Sequence, residues 1–143
     1  MKTLKQLLAG STRPLAVVSP KDTVFHALKL MSDHDVGAVL VLEGERLVGI
    51  FSERDYARKI ILHGKASKDT PVSEIMTDKV FYVTPDRTVD ECMAIMTERR
   101  FRHLPVLDES QRVVGIISIG DLVRETISEQ EFIIRQLERY ITG

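Results

Sequence analysis

The chain has 143 residues, 43% hydrophobic and 29% charged, so it has the apolar surface for a packed core and is neither disordered nor fibrous. Its 20 Lys and Arg against 21 Asp and Glu give a net charge of −1, which supplies no global pull toward nucleic acid or an anionic membrane. One cysteine, Cys92, excludes an internal disulfide or a multi-cysteine metal site. No apolar run approaches the roughly 18 residues of a membrane span or forms a signal core, so the expected location is the cytoplasm, with no membrane partner.

In chain order, residues 3–8 predict a short helix stopped by Gly10. Val24, Ala27, Leu28 and Met31 fall at i, i+3, i+4 and i+7 and predict a helix with one buried face. Residues 38–42 and 47–51 are short apolar runs across a polar turn, the pattern of a hairpin, and residues 53–62 predict a helix directly after it. A polar stretch follows at residues 63–70, then one helical turn over residues 71–76. Val89, Cys92, Met93 and Met96 repeat the earlier helical offsets, and Thr88 with Glu91 predicts a capping box. A second hairpin, residues 104–107 and 113–117, leads to a helix over residues 119–127. Ser128 with Glu131 predicts another capping box opening a separate final helix, striped by Phe132, Ile133, Leu137, Tyr140 and Ile141. That stripe needs a partner, either the same chain or a second copy.

The two halves are one pattern written twice. Val18-Ser19-Pro20 aligns with Val83-Thr84-Pro85, Thr23-Val24 with Thr88-Val89, Met31 with Met96 and Val41-Leu42 with Val106-Leu107, all at an offset of 65 residues. After one extra residue in the second turn the offset becomes 66, aligning Ser52 with Ser118 and Asp55 with Asp121. Each half reads βαββα, and about 45 residues rarely stand alone, so the halves should pack together. The expected division is an N-terminal helix and lead-in (1–15), repeat one (16–62), a linker (63–78), repeat two (79–127) and a C-terminal helix (128–143).

Paired units of this kind, each ending in an apolar strand and Gly-x-x-Ser-x-x-Asp, resemble the cystathionine β-synthase (CBS) domain family. The carriers are Val18-Ser19-Pro20 with Thr23-Val24, residues 49–55, Arg102-His103-Leu104-Pro105-Val106 and residues 115–121. The resemblance implies an α/β (mixed α+β) fold, with tandem βαββα repeats packed through their sheets as one pseudo-two-fold module. It also implies a homodimer, and a regulatory, signal-transducing role without catalysis. The implied ligands are adenosyl compounds in clefts between the repeats, AMP foremost, with ADP, ATP, NAD(H) and S-adenosylmethionine as other members. Carried over, one cleft combines Ile50, Ser52 and Asp55 with Thr77, Phe81, Arg102 and His103, and Arg54 is a further phosphate contact. The other combines Ile116, Ser118 and Asp121 with Thr12, Ala16, Gly37 and Ala38.

The residues themselves leave two readings of Ser-x-x-Asp open. A carboxylate beside a helix start can accept from a ribose diol, and unpaired N–H groups there suit an anion. The same pattern is also a helix cap, and one residue can do both. Arg99 and Arg100 read as cations offsetting a helix C-terminus, whereas Arg102 and His103 lie beyond it. His26, His34 and His63 show no metal-ligand spacing, and Cys92 reads as a core thiol. No Walker loop, nucleophile elbow or zincin motif is present, so catalysis ranks behind the sensor acting on an unidentified partner protein that the resemblance implies. The competing class is a structural dimerisation module with vestigial clefts. Nucleic-acid binding is disfavoured by the charge balance and by 6% aromatics without Trp.

Overall fold

The repeated apolar spacing folds into similar elements twice over, with three departures from the expected pattern. The computed structural model describes residues 2–10 and 14–142. Their order is α1 (Leu4–Ala9), β1 (Val17–Val18), α2 (Val24–His34), β2 (Ala38–Glu43), β3 (Arg46–Ser52) and α3 (Glu53–Asp55). A π-helical turn (Tyr56–Ile61) and a 3-10 turn (Val72–Glu74) follow, then α4 (Val89–Arg99), β4 (His103–Leu107), β5 (Val113–Ser118) and α5 (Ile119–Thr142). Strand β2 lies between β1, which is parallel to it, and β3, which is antiparallel; β4 and β5 form an antiparallel pair.

The first difference is that the opening strand of the second repeat shrinks to one parallel bridge between Val83 and Val106. In the first repeat the Leu40 N–H donates to the Ala16 carbonyl at 3.0 Å. The residue matching Leu40 is Pro105, which has no N–H, so that rung of the second ladder cannot form.

The second concerns helix starts and the helix after β3. Thr23 and Thr88 cap α2 and α4, each hydroxyl accepting the N–H three residues on. The expected reciprocal box at Thr88 is only half made, because the Glu91 carboxylate accepts from the Thr88 hydroxyl at 3.2 Å and pairs with Arg87 at 2.9 Å. Both helices stop at matching left-handed residues, Asp35 (φ 53°) and Arg100 (φ 58°). The helix expected over residues 53–62 is three α-helical residues running into the π turn.

The third is at the C-terminus, where one helix of 24 residues replaces the two expected. Ser128 is not a cap: no glycine or proline lies between residues 121 and 142 to stop the helix, and the Thr126 hydroxyl bonds back to the Leu122 carbonyl at 2.9 Å. The apolar stripe along its outer half, including Phe132, Ile133, Leu137 and Ile141, is exposed, and Tyr140 is 88% accessible.

Burial is organised as one cluster per repeat, built from aligned residues: Val18, Val24, Ala27, Met31 and Phe51 in one, Val83, Val89, Cys92, Met96 and Ile117 in the other. Each cluster is completed by chain from in front of the other repeat. Leu4, on α1, is fully buried in the second cluster, with its N–H on the Arg87 carbonyl (2.8 Å), and Val89 donates to the Lys2 carbonyl (3.0 Å). Val72 is fully buried in the first, with its N–H on the Asp22 carbonyl (2.7 Å), and Val24 donates to the Thr70 carbonyl (2.9 Å). Leu8 covers Gly115 as Met76 covers Gly49. The lead-in segments are thus exchanged across the pseudo-dyad.

Candidate functional site

At each strand-to-helix junction the backbone turns sharply, and the hydrogen bonds are those of a cap. The Ser52 N–H donates to Asp55 Oδ2 (3.0 Å) while the Asp55 N–H donates to Ser52 Oγ (3.2 Å). Ser118 and Asp121 repeat this at 2.9 and 3.1 Å. The first N–H of each following helix is held from the same repeat's strand start, Glu53 N–H on the Gly37 carbonyl (3.0 Å) and Ile119 N–H on the Arg102 carbonyl (2.9 Å). These bonds fix both carboxylates in place beside the junction.

Two cavities form where each junction faces the other repeat. The first, of about 480 Å³, is lined by Ile50, Ser52, Arg54 and Asp55 from one repeat and by Thr77, Phe81, Arg102 and His103 from the chain beyond it. The second, of about 700 Å³, gathers Ile116, Ser118 and Asp121 with Ala16, Gly37 and Ala38. Thr12 lies outside the described residues. Both volumes are in the range of small-molecule sites.

The cavities differ in their polar furniture. In the first, Asp55 Oδ1 accepts from the Thr77 hydroxyl at 3.4 Å and lies 3.5 Å from Lys59 Nζ, whose ammonium also donates to the Ile75 carbonyl at 3.0 Å. The Arg99 guanidinium sits 4.5 Å over the Phe81 ring, and Phe81 meets Phe101 at 5.9 Å between centroids. In the second, the Asp121 carboxylate is paired with Arg124 at 2.5 Å. His103 borders both cavities, its ring against Gly37. Burial holds its imidazole below the ordinary 6.5, against the upward pull of Asp121 and Glu53 and with Arg102 adding to the depression.

Several lining residues lay outside the sequence reading. Arg99 and Arg100, read as dipole partners, also face the first cavity, and Arg58 and Lys79 join them. The signal for Arg58 was its position one turn after Arg54 on the same face; for Lys79, placed by an irregular segment, there was none. Cys92 is fully buried with its thiol pushed up to about 11 by desolvation, which makes it inert.

A duplicated βαββα unit with two inter-repeat clefts defines a tandem-repeat domain module. The family model described as "CBS domain" matches residues 4–62 and again 72–128, and the chain belongs to the CBS domain family. It is 44% identical over 127 residues, 85% of this chain and 61% of the relative, to "CBS domain-containing protein CBSX3, mitochondrial" of Arabidopsis thaliana. Among solved structures it resembles a protein with CBS domains from Burkholderia ambifaria (49% identity, TM-score 0.85, 90% and 96% of the two chains). Two others carry ligands: CBSX2 in complex with AMP (25%, TM-score 0.74, 91% and 99%), and the CBS domain pair of protein MJ0100 in complex with 5′-methylthioadenosine and S-adenosyl-L-methionine (25%, TM-score 0.79, 90% and 98%). Among the described residues no helix is long and apolar enough to cross a membrane.

Proposed function

We propose that this chain is a cytoplasmic sensor that binds adenosyl ligands between its CBS repeats and passes their occupancy to a partner protein. The observation that carries this reading is the composition of each cavity, in which a Ser-x-x-Asp junction of one repeat faces chain from the other. A ligand touching both walls changes the angle between repeats only if it binds two arrangements unequally, and that differential is the signal. Asp55 and Asp121 would take the ribose: each already accepts from its capping serine and retains further lone pairs for a diol. Ser52 and Ser118 spend their hydroxyls on the cap and carry no nucleophilic chemistry in this reading. The adenosyl ligands of CBSX2 and of the MJ0100 domain pair support the ligand class. The exposed stripe of α5 supports self-association as a homodimer.

Isothermal titration with AMP, ATP, NADH and S-adenosylmethionine tests the proposal. Saturable heat with at least one of them is the expected result. Absence of both heat and a melting shift at millimolar ligand would leave a purely structural module.

A further inference from the structure

One titratable ring stands in the wall between the two clefts. Strand pairing sets His103 opposite Ser118, beside the junction of its own repeat, while its imidazole lies against Gly37 at the strand entry of the other. A Cβ on Gly37 would stand 3.4 Å from both Cε1 and Nε2 of that ring, so the glycine leaves the imidazole its place. Among the described residues, Gly37 and His103 are the two common to both cavities. The residue matching His103 in the first repeat is Ala38, which pairs with Ser52 and borders the second cavity alone. The partition is therefore asymmetric, with one imidazole serving two clefts.

An acid stands on each side of this ring, Glu53 in the first cavity and Asp121 in the second. Burial holds the imidazole below its ordinary value and Arg102 adds to that, while Asp121 and Glu53 pull it up. Of the other charged groups on these walls, Asp55 is paired with Lys59, Asp121 with Arg124 and Glu125 with Lys2. Asp35 in the second cavity and the remaining Lys and Arg side chains of the first complete the field around the ring. Among the described residues no hydrogen bond engages either ring nitrogen. An anion entering either cleft adds negative charge beside the imidazole and raises its hold on a proton. By linkage the converse follows: a ring protonated for one anion binds a second more tightly, and its charge offsets the repulsion between the two. A neutral nucleoside brings no such charge.

Building on the adenosyl-binding reading, we infer that His103 is a proton site shared by the two clefts: an anionic ligand in either one protonates the ring, and that proton favours an anion in the other. Joint occupancy thereby depends on pH as well as on ligand concentration. Proton NMR of the four histidines in the full chain reads the site directly, with His103→Asn assigning its signal. Saturating AMP should raise the His103 midpoint by about one pH unit, with adenosine leaving it in place and His26, His34 and His63 unmoved. Calorimetric titration with AMP should show the second binding constant gaining about threefold relative to the first between pH 8.5 and 6.5, in the wild type but in neither His103→Asn nor His103→Gln. Thermal melting checks that both variants fold, and the pH comparison in the wild type stands without them. A midpoint unmoved by bound AMP, an equal rise with adenosine, one AMP per chain, no gain at pH 6.5, or the same gain in both variants would overturn the inference while leaving the adenosyl-binding reading intact. Failure of adenosine and AMP to bind at either pH would remove both.

Discussion

Asp55 and Asp121 do structural work that is visible, and experiment separates from it the ligand role proposed for them. Each accepts the N–H of its capping serine at 2.9 to 3.0 Å, so replacing both by Ala loses about 1 kcal/mol per turn, readable as a lowered melting temperature. If they also hold ribose, titration of the same variant shows adenosyl binding abolished, whereas Ser52→Ala, which keeps the carboxylate, destabilises by a similar amount and still binds. His103 gives a second test at this scale. Its imidazole titrates below 6.5 in the folded chain because it is buried, so the unfolded chain takes up the proton first. Stability is therefore complete above pH 6.5 and falls as pH drops through that value toward the depressed folded one. Melting temperatures measured across that window in the wild type and in His103→Asn should show the slope only in the former. The capping role of Ser52 with Asp55 and of Ser118 with Asp121 was legible in the sequence because a cap depends on local spacing. The gathering of Arg58, Lys79 and Arg100 on one cavity wall was not, because it depends on how the two repeats face each other.

Among the elements, the helical periods and hairpins followed directly from apolar spacing, and the departures came from backbone chemistry. Pro105 removes a ladder donor and truncates a strand; Ser128 looks like a cap but lies in an unbroken run of helix formers. Helix α1 was predicted as a short helix, but not as part of the second repeat's core, since nothing local tells Leu4 where it will be buried. Leu4→Ala should cost about 2 to 5 kcal/mol, and hydrogen exchange should rise first in α4, β4 and β5 rather than in the first repeat beside it in sequence. The contact of α1 with β5 is equally close: a Cβ on Gly115 would stand 2.6 Å from Leu8 Cδ2 and 2.9 Å from its Cδ1. Gly115→Ala should therefore destabilise by about 1 to 3 kcal/mol, and adding Leu8→Ala should recover part of that loss in denaturant titrations.

For the whole molecule, near-zero net charge conceals an uneven distribution, with one cleft strongly cationic. The outer half of α5 leaves its apolar groups about half exposed, Leu137 at 57% and Ile133 at 49% accessible. Leu137→Glu with Ile133→Glu should leave far-ultraviolet circular dichroism unchanged and lower the mass seen by light scattering if this face joins two copies.

The exchanged lead-ins have a consequence for cleavage and for ancestry. The polar stretch at residues 63–69 is the natural place for a protease to cut, yet a cut there would not liberate two halves, because each fragment keeps an arm buried in the other: Leu4 on one side, Val72 on the other. The nicked particle would stay together until it unfolds. By the same geometry, a chain carrying one repeat and one arm could complete its core only by trading arms with a second chain. The present molecule has the architecture of such an arm-swapped pair after gene fusion, with the connector serving as a tether rather than a hinge.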